Sequence, residues 1–138
     1  MNYPRIFLGG ILGGVVSTIV TLLINAGLLG TRYEQLQATG VFLKEPRLPF
    51  LFVWILVLFL VAIGLVWLYA AARTRMGPGP KTALAVGITV GLIAAVPCFV
   101  VHYSWSQFGG YVSGLWALDT VIGSSLATLA GAWVYKEP

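Results

Sequence analysis

A single carboxylate stands inside a long apolar run of this sequence. Asp119 lies in the stretch 111–135, whose other residues carry no charge. A charge at the centre of a bilayer costs about 2.5–3.5 kcal/mol on insertion scales, so such a residue is a candidate proton or ion site. A structural role, as a cap or as a partner of a hydroxyl group, is favoured over that site. If Trp116 marks the membrane interface, Asp119 lies only about one helical turn, about 5 Å, below the outer surface.

Other polar side chains can approach Asp119 if the chain folds back near Gly109. His102 follows Cys98 by four residues, which places both on one face of a helix. We expect one polar patch in the outer half of the molecule, formed by Asn25, His102, Ser104, Ser113 and Asp119. A metal site requires three or four well-placed ligands, and the spacing of these residues matches no metal motif. A haem or chlorophyll-type pigment bound through His102 stays open as an alternative to an interfacial histidine.

Sequence patterns typical of catalysis are missing from the chain. It contains no Ser-His-Asp order, paired carboxylates, HExxH, phosphate-binding loop or CxxC. The sequence therefore predicts a protein that is not an enzyme and that needs no cofactor, the pigment alternative aside.

The composition excludes an ordinary water-soluble domain. Of 138 residues, 59% are hydrophobic and 9% are charged, whereas soluble domains carry about 25% charged residues. Eight Lys and Arg against four Asp and Glu give a net charge of +4. These cations lie outside or at the edges of the apolar runs, as expected for residues that orient a membrane protein. They form no patch on a soluble surface, so we expect no nucleic-acid partner.

Four runs are long enough to cross a bilayer, whose core of about 30 Å requires about 20 apolar helical residues. They predict helices over about 6–30, 48–76, 80–103 and 111–135, with an outer loop at 31–47. Because lipid offers the backbone no hydrogen bonds, each run should be helical. The predicted fold is all-α: a polytopic membrane protein with four transmembrane helices as two hairpins, forming a single membrane domain over 1–138. Within the outer loop, Tyr33, Leu36 and Gln37 at helical spacing allow a short interfacial helix.

The stretch RTRMGPGPK, residues 73–81, divides the second run from the third. Gly77 suits the end of a helix and Pro80 suits the first turn of the next, so the chain should reverse there within a few residues.

Arg73, Arg75 and Lys81 make this turn strongly basic. With the N- and C-terminal segments, this side carries five cations: Arg5, Arg73, Arg75, Lys81 and Lys136. The opposite side carries three: Arg32, Lys44 and Arg47. The positive-inside rule therefore places both termini in the cytoplasm.

Aromatic residues near the ends of the runs are typical of membrane-interface belts. On this interpretation Trp67 and Tyr69 close the second helix, and Trp133 and Tyr135 close the fourth. A further cluster lies at the outer turn: Tyr103, Trp105, Phe108, Tyr111 and Trp116.

Small residues at four-residue spacing predict close packing of helices, because helices in lipid associate where their backbones can approach each other closely. The candidate packing positions are Gly9, Gly10, Gly13, Gly14, Gly87, Gly91, Gly123 and Gly131. Packing within one chain is the favoured interpretation. The alternative, docking of the first or fourth helix against another subunit, stays open.

Two stretches, WLYAAARTRMGPGPKTA (Trp67–Ala83) and LATLAGAWVYKE (Leu126–Glu137), resemble a family of small bacterial four-helix integral membrane proteins of uncharacterised function. That family repeats a W-L-Y-A…R-x-R-x-G-P-G-P-K-T-A turn and ends in G-A-W-L-Y-K-E. The specific resemblance covers about a fifth of the chain. It implies a bacterial cytoplasmic (inner) membrane location with termini inside, and it implies no activity.

Three functional hypotheses follow. The first is a non-enzymatic helix bundle, an accessory or structural subunit that associates with a larger membrane complex or with itself in the lipid bilayer. The second is a small oligomeric transporter or ion carrier that uses Asp119 and Asn25, with a kink at Pro97 inside the third helix. The third is a haem- or pigment-binding membrane subunit that uses His102.

Overall fold

The computed structural model describes residues 1–136, and every regular element in that range is an α-helix. The helices are α1 (Tyr3–Gly27), α2 (Gly30–Ala38), α3 (Phe50–Met76), α4 (Pro80–Trp105) and α5 (Gly109–Val134). All except α2 are long and apolar enough to cross a membrane. The prediction of an all-α chain with four such helices is confirmed. The last two residues of the predicted domain 1–138, including Glu137 of the resemblance motif, lie outside the described residues.

The helix ends follow local chemistry. The Asn2 side chain accepts a hydrogen bond from the Arg5 backbone N–H at 3.3 Å, so α1 begins three residues earlier than expected. It also ends three residues earlier, at Gly27, because the chain continues directly into α2. The outer loop predicted at 31–47 is therefore partly helical. α4 runs without interruption through Pro97 to Trp105.

The 77–79 turn reverses the chain between α3 and α4 as its sequence indicates. Gly77 has φ +83° and Gly79 has φ +133°, which side chains with a Cβ rarely adopt. Pro80 is the first residue of α4, where a missing N–H leaves no helical bond unmade. The Thr82 hydroxyl donates to the Gly77 carbonyl oxygen at 2.7 Å and closes the turn.

In the bundle, α3 and α5 touch each other in the middle while α1 and α4 lie on opposite sides of that pair. Contacts of Gly9 with Gly131 and of Gly13 with Ala127 show that α1 runs antiparallel to α5. Gly87 meets Ser125 and Gly91 meets Val121, so α4 is also antiparallel to α5.

Most of the candidate packing glycines lie where two helix backbones approach closely. A Cβ on Gly13 would come within 2.8 Å of the Ala127 carbonyl oxygen, and a Cβ on Gly87 within 2.6 Å of the Ser125 Cα. The same restriction applies at Gly9, Gly10, Gly91 and Gly131. A Cβ on Gly14 would instead meet the Phe59 ring at 2.6 Å, and a Cβ on Gly123 would make only ordinary contacts at 3.9 Å. These positions therefore serve contacts between helices of this one chain.

One end of the bundle gathers the N-terminus, the 77–79 turn and residues 135–136, and we call it the basic end. The Asn2 backbone N–H donates to the Tyr135 hydroxyl at 3.2 Å, and the Gly79 N–H donates to the Tyr69 hydroxyl at 3.2 Å. The two tyrosine rings meet edge to face with centroids 6.1 Å apart. The opposite end carries α2, the 39–49 segment and the 106–108 turn, and we call it the α2 end.

Tyr69 and Tyr135, which the sequence assigns to an interfacial belt, face the interior of the bundle. Both rings are buried, with 2% and 3% of their surface exposed, whereas Trp67 and Trp133 are 47% and 81% exposed. Residues two apart on a helix point about 200° from each other. In each W-x-Y segment the tryptophan therefore faces outward while the tyrosine faces the bundle.

α2 folds back over the bundle and covers its interior. Leu29, Leu36 and Val112 are buried together, and half-buried rings surround them. These rings belong to Tyr33, Phe42, Phe108 and Trp116. The segment predicted as an interfacial helix thus closes the α2 end.

Candidate functional site

Asp119 lies deeper than the sequence indicates. α5 begins at Gly109, ten residues earlier, which is about 15 Å along the helix axis. Trp116 does not mark the surface, because it is half-buried under Phe42, with ring centroids 6.3 Å apart. Asp119 itself is only 7% exposed. The carboxylate therefore lies near the middle of a helix, inside the bundle.

Two side chains of α1 hold the Asp119 carboxylate. The Thr21 hydroxyl lies 3.0 Å from one carboxylate oxygen and 3.2 Å from the other, and donates to them. The Asn25 amide donates to the second oxygen at 3.0 Å and also to the Thr21 backbone carbonyl at 2.9 Å. Both partners are neutral, so the carboxylate is stabilised by hydrogen bonds rather than by an opposite charge.

The hydrogen-bonded chain continues from Asn25 into α2. The Tyr33 hydroxyl donates to the Asn25 side-chain oxygen at 2.5 Å, and the Trp116 indole N–H donates to the Tyr33 oxygen at 2.6 Å. Burial raises the pKa of the Tyr33 phenol above its ordinary value, with a further increase from the charge of Asp119, although the bond from Trp116 opposes this. The phenol consequently stays protonated and remains a donor.

This group of Thr21, Asn25, Tyr33, Trp116 and Asp119, which we call the carboxylate network, joins α1, α2 and α5. One turn from Thr21, the Ser17 hydroxyl donates to the Gly123 carbonyl at 3.3 Å. Within residues 1–136, no buried side-chain nitrogen or oxygen lacks a hydrogen-bond partner. Every buried polar side-chain atom of the network therefore has a hydrogen-bond partner. A buried polar cluster that is hydrogen-bonded in this way specifies a unique packing of the helices.

His102 lies near this network without hydrogen-bonding to Asp119. Its ring meets Trp116 edge to face at 5.4 Å and lies 5.8 Å from Phe108. Its backbone carbonyl accepts bonds from the N–H and the hydroxyl of Ser106. The structure thus places His102 among aromatic rings at the α2 end.

The remaining members of the expected polar patch are apart from the carboxylate. Ser113 donates to its own helix at Gly109, and Ser104 is exposed. Cys98 is exposed on α4. In the part of the chain that is described, no three His, Cys, Asp or Glu side chains lie close enough to hold a metal ion. The patch predicted as one unit therefore resolves into the carboxylate network and an aromatic cluster around His102.

The three cations of the turn from which the orientation is predicted all lie at the basic end, but their surroundings differ. The Arg73 guanidinium lies 5.1 Å above the Tyr135 ring, a cation–π distance. Arg75 and Lys81 are exposed.

Sequence reasoning missed Thr21, Tyr33 and Trp116 as partners of the site. The spacing of Thr21 and Asn25, four residues apart, was the available indication that both meet one partner. Tyr33 reaches Asn25 only because α2 folds back, which no local pattern predicts. No family model, curated protein or solved structure matches this chain.

A carboxylate held in this way can accept a proton or a cation, or it can act as a polar clamp between helices. The chain Trp116–Tyr33–Asn25–Asp119 leads from the α2 end to the carboxylate. No residue in this chain is arranged as a nucleophile with a base.

Proposed function

We propose that this chain is a non-enzymatic integral membrane helix bundle that acts as an accessory or structural subunit of a larger membrane complex. It crosses a bacterial cytoplasmic membrane four times as two hairpins, with both termini in the cytoplasm. The resemblance of the 67–83 and 126–137 stretches to small bacterial four-helix membrane proteins supports this location.

The distribution of charge supports the orientation. The basic end carries Arg5, Arg73, Arg75, Lys81 and Lys136, and the α2 end carries Arg32, Lys44 and Arg47. Cations are retained preferentially on the cytoplasmic side of membrane proteins. We therefore infer that the basic end is the cytoplasmic one.

The observation that carries the accessory role is the unequal burial of the four long helices. In the most apolar 18 residues of α1 and α5, 39% of positions are buried, against 17% in α3 and α4. The tight small-residue contacts are made within the chain, so the surface left for a partner is the bulky apolar face of α3 and α4. The exposed residues of these two helices include Leu56, Leu60 and Ile93.

Site-specific photo-crosslinking in the native membrane tests the accessory role. A photoreactive side chain at Leu60 or Ile93 should give a discrete protein adduct. The matched positions are Leu8 and Ile19, which are similarly exposed on α1 and should give lipid adducts alone. Absence of any protein adduct from Leu60 and Ile93, or identical adducts from all four positions, would contradict the proposal.

A second candidate function is a proton or cation site at Asp119, within a small oligomeric transporter. The observation that favours it is a buried carboxylate whose partners Thr21 and Asn25 are both neutral. Intramembrane carboxylates without a fixed counter-ion are typical of such sites.

Ion flux through reconstituted vesicles tests this second function. Asp119→Asn keeps an acceptor for Thr21 while removing the ionisable group, so it should abolish a proton- or cation-dependent flux. Ser113→Ala, on the same helix but bonded only to its own turn, should leave the flux intact. Equal flux from wild type and Asp119→Asn would eliminate the ion-carrier function.

A further inference from the structure

An open groove lies between α3 and α4 on the surface of the bundle, next to the basic end. It has a volume of about 280 Å³. Its lining is almost entirely apolar: Leu68, Ala72, Met76, Ala85, Val86, Thr89 and Val90. The small side chains of Ala72 and Ala85 create the space, because larger residues there would fill the angle between the two helices.

The groove extends from the 77–79 turn toward the middle of the membrane. On α3 it reaches from Met76 back to Leu68, and on α4 it reaches from Ala85 to Val90, ten residues beyond Pro80. At 1.5 Å per residue, Leu68 lies about 12 Å from the end of α3, and Val90 lies about 15 Å from the start of α4. That length matches one leaflet of a hydrocarbon core about 30 Å thick.

Two cations flank this end of the groove, one on each helix. Arg75 directly precedes the lining residue Met76, and Lys81 precedes the lining residue Ala85 by four residues, about one helical turn. Both side chains are exposed. Arg73, by contrast, lies over the Tyr135 ring. Among the described residues no acidic side chain lies at this end of the bundle.

We propose that this groove binds an anionic glycerophospholipid of the surrounding leaflet. One acyl chain lies along Leu68, Ala72 and Ala85, and the phosphate group is bound by Arg75 and Lys81. An apolar channel one leaflet deep beneath a pair of cations is complementary to a lipid with a negative headgroup, and basic pockets between transmembrane helices recognise such headgroups. The groove lies in the basic half of α3 and α4, whereas the proposed protein contact at Leu60 and Ile93 lies in the other half.

Native mass spectrometry of the full chain in mild detergent tests whether the groove prefers a lipid with an anionic headgroup. Phosphatidylglycerol should bind with higher affinity than phosphatidylcholine of the same acyl chains. The double variant Arg75→Gln/Lys81→Gln should lose this preference, with about 30-fold weaker phosphatidylglycerol binding, the amount expected from two cations near the membrane surface. Arg5→Gln/Lys136→Gln removes the same charge from the same end, away from the groove, and should bind phosphatidylglycerol like wild type.

Two uncharged substitutions on α4 test whether an acyl chain lies in the groove. Ala85→Leu fills the groove and should weaken phosphatidylglycerol binding, whereas Ala94→Leu, at an exposed position elsewhere on α4, should not. Helicity measured by circular dichroism checks that each variant folds. If the double charge variant does not fold, the comparison of Ala85→Leu with Ala94→Leu still tests whether the groove binds the lipid. Equal binding of the two lipids by wild type would overturn the proposal. So would equal losses from the two charge variants, or unchanged binding to Ala85→Leu.

Discussion

Tyr33 occupies the central position in the carboxylate network because its hydroxyl group both donates and accepts. It donates to Asn25 and accepts from Trp116, so it connects α2 to α1 and α5 through a single oxygen atom. Asn25 in turn is fixed by Tyr33 on one side and by Asp119 on the other. The orientation of each side chain is therefore determined by the next one.

Replacing Tyr33 with phenylalanine should destabilise the fold more than the loss of one ordinary hydrogen bond. Tyr33→Phe leaves the Asn25 oxygen and the Trp116 N–H without their partner, and each unpaired buried group costs about 1–3 kcal/mol. The free energy of unfolding in micelles, followed by circular dichroism, measures this effect. Tyr103→Phe, at an exposed ring, is the matched control and should change stability little. Equal stability of the two variants would show that the Tyr33 bonds contribute nothing.

Thr21 and Asp119 should be energetically coupled. A double-mutant cycle with Thr21→Val and Asp119→Leu should give an interaction energy of about 0.5–3 kcal/mol, because the hydroxyl and the carboxylate hydrogen-bond directly. The same unfolding measurement supplies all four free energies. Additive effects, within the error of the cycle, would mean that the contact does not form.

At the scale of helices, the glycine positions set the register that the carboxylate network requires. Gly9 meets Gly131, Gly13 meets Ala127, Ser17 meets Gly123, and Thr21 meets Asp119. Each step of four residues along α1 is matched by four residues backward along α5. A shift of either helix would separate Thr21 from the carboxylate.

A methyl group at Gly10 should loosen the contact between α1 and α3. In Gly10→Ala the new Cβ would lie 2.7 Å from the Cα of Ile63, so a backbone must move, and overpacking of this kind costs about 1–3 kcal/mol. Gly64→Ala is the control, since a Cβ there has open space and should cost nothing. Unfolding in a denaturing detergent titration measures both. A larger loss from Gly64→Ala than from Gly10→Ala would contradict this packing.

The sequence predicted the four long helices within about three residues at most ends, because lipid leaves the backbone of such runs no alternative to a helix. It also predicted the 77–79 turn, where Gly77 and Pro80 have local conformational preferences. Asp119 and Asn25, which the sequence placed in one polar patch, are hydrogen-bonded to each other in the structure. These predictions depend on residue type and spacing alone.

The rest depends on how helices rotate about their axes and on how α2 folds back, which spacing does not determine. Trp67 and Tyr69 look alike as interfacial aromatic residues, yet only the tryptophan faces outward. Trp116 was taken to mark the surface, but α2 and Phe42 cover it. Tyr33 entered the site for the same reason. Contacts between segments distant in sequence decided each of these outcomes.

At the scale of the whole molecule, the two ends differ in charge and in construction. The basic end is closed by short connections and by two buried tyrosines that accept bonds from the backbone at Asn2 and Gly79. The α2 end is closed by a separate helix and a cluster of aromatic rings. This asymmetry places the groove for an anionic lipid and the carboxylate network in opposite halves of the bundle.

Accessibility of single cysteines in intact cells tests most directly the account of four membrane crossings with both termini inside. In a Cys98→Ser background, Lys44→Cys should react with a membrane-impermeant thiol reagent added outside the cells. Pro78→Cys should react only after the membrane is permeabilised. Labelling of Pro78→Cys in intact cells, or recovery of the protein in the soluble fraction without detergent, would contradict the account.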